Sequence, residues 1–189
     1  MPGRAVRIVV LASGSGSTLQ AILDAADLGG VVVAAGTDVP DCLAMQRASS
    51  IGVTTFAVAM RDYRDRESWN VALAEAIASF RPDLVVLAGF MRLLSPTVVN
   101  RFRIVNTHPA LLPEFPGAHA IRDALDAGVD KTGVTVHWVD EGVDTGPVIA
   151  QAAVAVEAGD DEQSLRERIQ AVEKPLYVKA IHDLCQELQ

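Results

Sequence analysis

Ala5-Val6-Arg7-Ile8-Val9-Val10-Leu11-Ala12-Ser13-Gly14-Ser15-Gly16-Ser17-Thr18-Leu19 passes from an apolar, β-branched run through two glycines into a polar segment that turns amphipathic. Ala5 to Ser13 reads as a buried strand. Ser17 to Leu28 reads as a helix with Leu19, Ile22, Leu23 and Ala26 on one face. The glycines between them supply a tight strand-to-helix turn.

The same unit repeats downstream. Val31 to Ala35 predicts a second strand, Asp41 to Ser50 a short helix and Val53 to Val58 a third strand. Arg64 to Phe80 has the periodicity of an amphipathic helix, with Trp69, Leu73, Ala76, Ile77 and Phe80 inward and Pro82 as its stop. The apolar strand Asp83 to Phe90 follows, and then Arg103-Ile104-Val105-Asn106-Thr107-His108-Pro109. Strands alternating with helices imply right-handed crossovers and a mostly parallel, doubly wound α/β sheet that binds ligands at the carboxyl ends of its strands. Beyond a proline-rich loop (Leu111 to Gly117) and a short helix (Ile121 to Ala127), the strands Gly133 to Asp140 and Pro147 to Val156 read as an antiparallel pair. A final long helix from about Asp161 places Leu165, Ile169, Val172, Leu176, Ile181 and Leu184 on one stripe, and Pro175 is expected to interrupt and kink it.

No Ser/Pro/Gly-rich linker divides the 189 residues, so a single domain spanning 1–189 is expected. Half the residues are apolar but only 5% are aromatic, which leaves the core to Val, Ile, Leu and Ala. A net charge of −8 with no dense basic stretch argues against nucleic acid as a partner. The apolar run after Arg7 is short and enters a glycine loop without a cleavage pattern, so it reads as a strand and not a secretory signal. The run Leu84 to Met91 falls far below the ~20 residues of a membrane helix. Two cysteines, Cys42 and Cys185, without CxxC spacing fit a reducing cytoplasm.

Several positions carry candidate chemistry. The free N–H groups of Ser13 to Leu19 and the positive end of the following helix form a natural cradle for an anion, a monophosphate being the expected one. The loop lacks both the third glycine of a dinucleotide fingerprint, at Leu19, and the lysine of a Walker loop. An ordinary turn capped by Ser17 or Thr18 is the alternative. Asn106 and His108 are two apart and so share a strand face, where an amide can donate to an oxyanion and an imidazole can exchange a proton near neutral pH. Asp144, in the acidic loop Asp140 to Gly146, would orient His108 if folded nearby. Strand-end Asn and His also satisfy loop backbone groups, and residue types alone leave both roles open.

Other candidates have simpler readings beside them. Backbone groups of Met91-Arg92-Leu93-Leu94 suit a flat heterocycle, or the segment packs in the core. Glu173 reads as part of a solvated helix face. His137 shares a strand face with Thr135 and Val139 and reads as a structurally satisfied histidine. His119 lies in a loop and His182 near a helix C-terminus. Scattered histidines and no HExxH argue against a metal, and no GxSxG supports a serine nucleophile.

Taken together, Ser13-Gly14-Ser15-Gly16-Ser17, Val85 to Arg92, Asn106-Thr107-His108-Pro109-Ala110-Leu111-Leu112-Pro113 and Asp144-Thr145-Gly146-Pro147-Val148-Ile149 resemble the folate-dependent glycinamide ribonucleotide formyltransferases of purine biosynthesis, nearly end to end. The resemblance implies a Rossmann-like formyltransferase fold in the cytoplasm. It also implies one-carbon transfer from 10-formyltetrahydrofolate, as cosubstrate, to the amine of glycinamide ribonucleotide by direct attack. It makes Asn106, His108 and Asp144 the catalytic set and gives the ribonucleotide to Gly16, Ser17, Thr18 and Glu173. Folate falls to Arg66, Met91, Arg92, Leu93, Leu94 and Asn106, with Arg64 close enough in sequence to compete with Arg66. The family usually has Asn where Thr18 stands. Metal, nucleic acid and membrane are not implied, and a homodimer is one expected assembly.

Two alternatives stay open. A formyltetrahydrofolate hydrolase would use a similar site to pass the formyl group to water, and carries an extra amino-terminal domain that this chain, starting at its first strand, is expected to lack. A non-catalytic nucleotide-binding module would explain the glycine loop but not Asn106, His108 and Asp144 together. A dehydrogenase would need Asp38 to read a ribose hydroxyl, and the missing third glycine counts against it.

Overall fold

A computed structural model describes residues 4–189, so the start of the amino-terminal segment weighed above as a secretory signal, Met1 to Gly3, lies outside the described residues. The strands are β1 (Val6–Leu11), β2 (Gly30–Thr37), β3 (Thr55–Ala57), β4 (Leu84–Leu87), β5 (Ile104–His108), β6 (Lys131–Trp138) and β7 (Val148–Ala155). They form one sheet in the order β3-β2-β1-β4-β5-β6-β7. All neighbours are parallel from β3 to β5, and β5-β6 and β6-β7 are antiparallel. The order reverses between β1 and β4, which makes the carboxyl ends of those two strands the crevice where a doubly wound sheet binds ligands.

The helices are α1 (Ser17–Leu23), α2 (Leu43–Ser50), α3 (Arg66–Ser79), α4 (Pro96–Val99), α5 (Ala120–Asp126) and α6 (Glu162–Glu187). Two aliphatic cores lie on the two faces of the sheet. One joins α1, α2 and α6 to Val10, Val86 and Val105, and the other joins α3 to Val9, Val85 and Ile104. The alternation of strand side chains sends consecutive residues to different cores. Trp69, fully buried on α3, gives its indole N–H to the Val58 carbonyl at 2.7 Å, and Tyr177 on α6 places its hydroxyl 3.0 Å from both the Leu87 and Val105 carbonyls.

Local chemistry moves some boundaries. The first helix ends at Leu23 and not Leu28, because the Asp27 carboxylate accepts the Gly29 N–H at 2.9 Å and closes a turn that competes with the helix. α3 begins at Arg66, after Asp65 caps it through the Ser68 N–H at 2.8 Å, and stops before Arg81 (φ 46) and Pro82. α6 runs unbroken through Pro175, so the expected interruption is absent. The proline forfeits one N–H bond, while Ile169, Tyr177 and Ile181 on either side stay buried against the sheet.

Candidate active site

β5 carries Asn106 and His108 on the α3 face of the sheet and Thr107 on the other. Pairing with β6 sets Asn106 opposite His137 and His108 opposite Thr135. The loop from Asp140 to Gly146 then returns Asp144 over these residues. Asp140 ties that loop together by accepting the Gly142 N–H at 3.0 Å and the Thr145 hydroxyl at 2.7 Å. Asp144 itself has φ 55, and a Cβ at Gly146 would meet the Trp138 carbonyl oxygen at 1.8 Å, so only glycine fits there.

The side chains converge. His108 Nδ1 lies 3.3 Å from Asp144 Oδ2, with both side chains largely withdrawn from water. His108 Nε2 lies 2.8 Å from the Phe115 carbonyl, and Phe115 adopts φ 51, a strained conformation for an aromatic residue. A neutral imidazole has one N–H for these two acceptors, whereas an imidazolium serves both. Asp144 Oδ2 also accepts the Gly117 N–H at 2.8 Å, so the proline-rich loop and the acidic loop are joined through this carboxylate.

His137, read as a structurally satisfied strand histidine, is hydrogen-bonded as that reading expects and belongs to the same cluster. It is buried, with Nδ1 2.9 Å from the Trp138 carbonyl, Nε2 3.4 Å from Asn106 Nδ2 and 3.6 Å from Asp144 Oδ1. The bond to the carbonyl assigns the proton to Nδ1, so Nε2 accepts from the Asn106 amide and orients it. The sequence signal for His137 was its place on the strand that pairs with β5, which spacing alone does not disclose. Backbone contributors such as Phe115 and Gly117 carry no side-chain signal.

Across the sheet edge, the glycine loop, β4 and α6 enclose a cleft of about 260 Å³ lined by Gly14, Gly16, Thr18, Gly89, Thr107 and Glu173. Gly16 caps α1 in the left-handed conformation (φ 72) with no side-chain cap bond, so the alternative of a turn capped by Ser17 or Thr18 is not found. A Cβ on Gly16 would sit 2.6 Å from Ala44 Cα, which explains the glycine. Glu173 faces this cleft and is not on a solvated face. The Thr18 hydroxyl donates to its Oε1 at 3.3 Å, and burial raises its pKa above the usual carboxylate value.

The loop after β4 borders the same cleft through Met91 and exposes both Met91 and Leu93, while Leu94 is half-buried against the α3 core. Arg66 donates to the Leu93 carbonyl at 2.7 Å, whereas Arg64 turns to solvent beside Asp65, so Arg66 is the arginine that borders this loop. The Arg92 guanidinium turns inward to Asp38 at 2.6 Å. Among the described residues no cluster of His, Cys, Asp and Glu could hold a metal ion, and no helix is long and apolar enough to cross a membrane.

A doubly wound sheet with an amide, two imidazoles and a carboxylate at its ligand-binding edge, beside a glycine-lined cleft, has the groups that acyl-group transfer uses. The formyl transferase family model matches residues 6–181, and the chain belongs to that family. It stands there with the phosphoribosylglycinamide formyltransferases. The Mycobacterium tuberculosis enzyme of that name is 51% identical over 95% of this chain and 85% of its own. The Escherichia coli enzyme is 42% identical over 91% and 84%. The crystal structure of glycinamide ribonucleotide transformylase 1 from Symbiobacterium toebii superposes with a TM-score of 0.94 at 44% identity, covering 98% of this chain and 90% of that one.

Proposed function

We propose that this chain transfers the formyl group of 10-formyltetrahydrofolate to the amine of 5'-phosphoribosylglycinamide in de novo purine biosynthesis. The observation that carries the reading is the cluster of Asn106, His108, His137 and Asp144 at the carboxyl end of β5, adjacent in sequence to Thr107 and Pro109, which border the glycine-lined cleft. The cleft suits a ribonucleotide. Free N–H groups at Gly16, Ser17 and Thr18 meet the phosphate, and Glu173 accepts from ribose hydroxyls. Met91, Leu93 and Leu94, with backbone groups of the same loop and Arg66, border the folate.

The glycyl amine attacks the formyl carbon and a C–N bond forms. The carbonyl oxygen becomes an oxyanion that accepts from the Asn106 amide and from the Nε2–H of protonated His108, which exchanges its bond to the Phe115 carbonyl for one to the oxyanion. Asp144 holds His108 in orientation and helps a proton leave the attacking nitrogen, through water. The tetrahedral centre collapses, the bond to N10 breaks, and tetrahydrofolate leaves with a proton on that nitrogen. No covalent enzyme intermediate is required.

The purified protein mixed with both substrates is expected to form tetrahydrofolate only when the amine is present. Release without the amine would favour a hydrolase, and no release a binding module.

A further inference from the structure

The carboxyl ends of β2, β1 and β4 are neighbours in the sheet, and the residues just beyond them form one closed network. Asp38, whose side chain is 1% exposed, accepts the Arg92 Nε–H at 2.6 Å on Oδ2. It accepts the Ser13 hydroxyl at 2.5 Å on Oδ1. Ser13 Oγ in turn accepts the Met91 N–H at 3.0 Å, and the Ser13 N–H donates to the Gly89 carbonyl at 3.1 Å. Met91 and Arg92 are consecutive, so the path from Met91 through Ser13 and Asp38 to Arg92 returns to its own start.

An aspartate at the end of the second strand is where a dinucleotide enzyme reads a ribose hydroxyl. Here each carboxylate oxygen is bonded to the protein and the side chain is buried, so no ribose hydroxyl reaches it. Desolvating a carboxylate is costly, and a packed apolar residue would often be at least as stable. The ion pair therefore draws attention to what it holds. Ser13 is contiguous with the Gly14 to Thr18 loop, and Arg92 with Leu93 and Leu94.

Resting on the formyl-transfer reading above, we infer that Asp38 is a positioning residue that sets both substrate loops at once, through Ser13 on the ribonucleotide side and through Arg92 on the folate side. It touches neither substrate. Two reactants held by separate loops react only when the loops keep a fixed spacing, and a displacement of ~1 Å costs on the order of 100-fold in rate. One carboxylate shared by both loops supplies that spacing.

The test is steady-state kinetics on the intact protein with 10-formyltetrahydrofolate and phosphoribosylglycinamide, each varied in turn. Asp38→Asn keeps the shape, loses the charge and can no longer accept from both partners. Its kcat is expected to fall ~10- to 100-fold and its KM for both substrates to rise ~5- to 20-fold, with the shape of the pH profile of kcat unmoved. Ser13→Ala leaves the Asp38–Arg92 pair intact and should raise both KM values by a smaller factor; it decides the matter if Asp38→Asn does not fold. With an active wild type, a rise in only one KM, or in neither, overturns the inference alone. A wild type that forms no tetrahydrofolate overturns the formyl-transfer reading and this inference with it.

Discussion

Asp144 Oδ2 lies 3.3 Å from His108 Nδ1, although one residue ends β5 and the other sits in the loop between β6 and β7. The left-handed backbone at Asp144 and the crowded Gly146 fix that approach. Asp144→Asn keeps the shape and removes the charge that supports an imidazolium. Turnover is expected to fall ~100- to 1,000-fold while either KM changes less than ~3-fold. His108→Ala should match it, and the double variant should be little worse than either, because the two act as a unit. Near-normal turnover in purified Asp144→Asn would contradict the assignment.

Strand, glycine turn and helix were legible because hydrophobic period and glycine placement are local signals. Asn106 and His108 sharing a face was legible for the same reason, since a strand alternates. What joins them to Asp144 and His137 was not. That depends on β6 pairing antiparallel with β5, a choice made by tertiary packing. Glu173 read as solvated because its neighbours on the helix are polar, yet the helix sets it against Thr18 across the cleft. Arg66 and Arg64 were inseparable by spacing. They part only when Asp65 caps α3 and sends Arg64 outward.

Ser17 is the first residue of α1, a position that tolerates proline because its N–H has no helical partner. Ser17→Pro removes one donor from the proposed phosphate cradle and, because proline disfavours the ψ of 24 held by Gly16 before it, also displaces the Gly16 backbone of that loop. Ribonucleotide affinity is expected to drop at least ~10-fold, the worth of one hydrogen bond to a charged group, while folate affinity stays unchanged. Calorimetry with each substrate separates the two, and unchanged ribonucleotide binding would remove the phosphate from this loop.

His137 accepts from Asn106 at 3.4 Å, a long contact that implies a modest contribution. His137→Phe keeps the ring and forfeits the acceptor, so the Asn106 amide loses its orientation. The expected loss in kcat is ~10-fold, well short of that from Asp144→Asn. In a double-mutant cycle with Asn106→Ala, the His137 change should add almost nothing, because its effect passes through the amide. Additive losses would show that His137 acts by another route.

The ribonucleotide role proposed for Glu173 sets binding and stability in opposite directions. Burial raises its pKa above the usual 4.5, with the Thr18 hydrogen bond and Lys174 opposing. Over the window from 4.5 up to the raised value, the folded chain holds a proton that the unfolded chain has lost. Stability contributed by this group is therefore complete below the window and declines as pH rises through it. A ribose hydroxyl donating to Glu173 favours the ionised carboxylate, so ribonucleotide affinity should climb over the same window. Glu173→Gln is expected to weaken ribonucleotide binding ~10- to 100-fold, as when a hydrogen bond to a charged group is lost, and to raise Tm more at pH 7.5 than at pH 4. The substrate phosphate titrates near pH ~6 on its own, so the pH dependence attributed to Glu173 is the part that disappears in the variant. Thermal melts and calorimetry across that range check both arms. A variant that binds normally, or gains no stability at the higher pH, would return Glu173 to the solvated face its sequence neighbours implied.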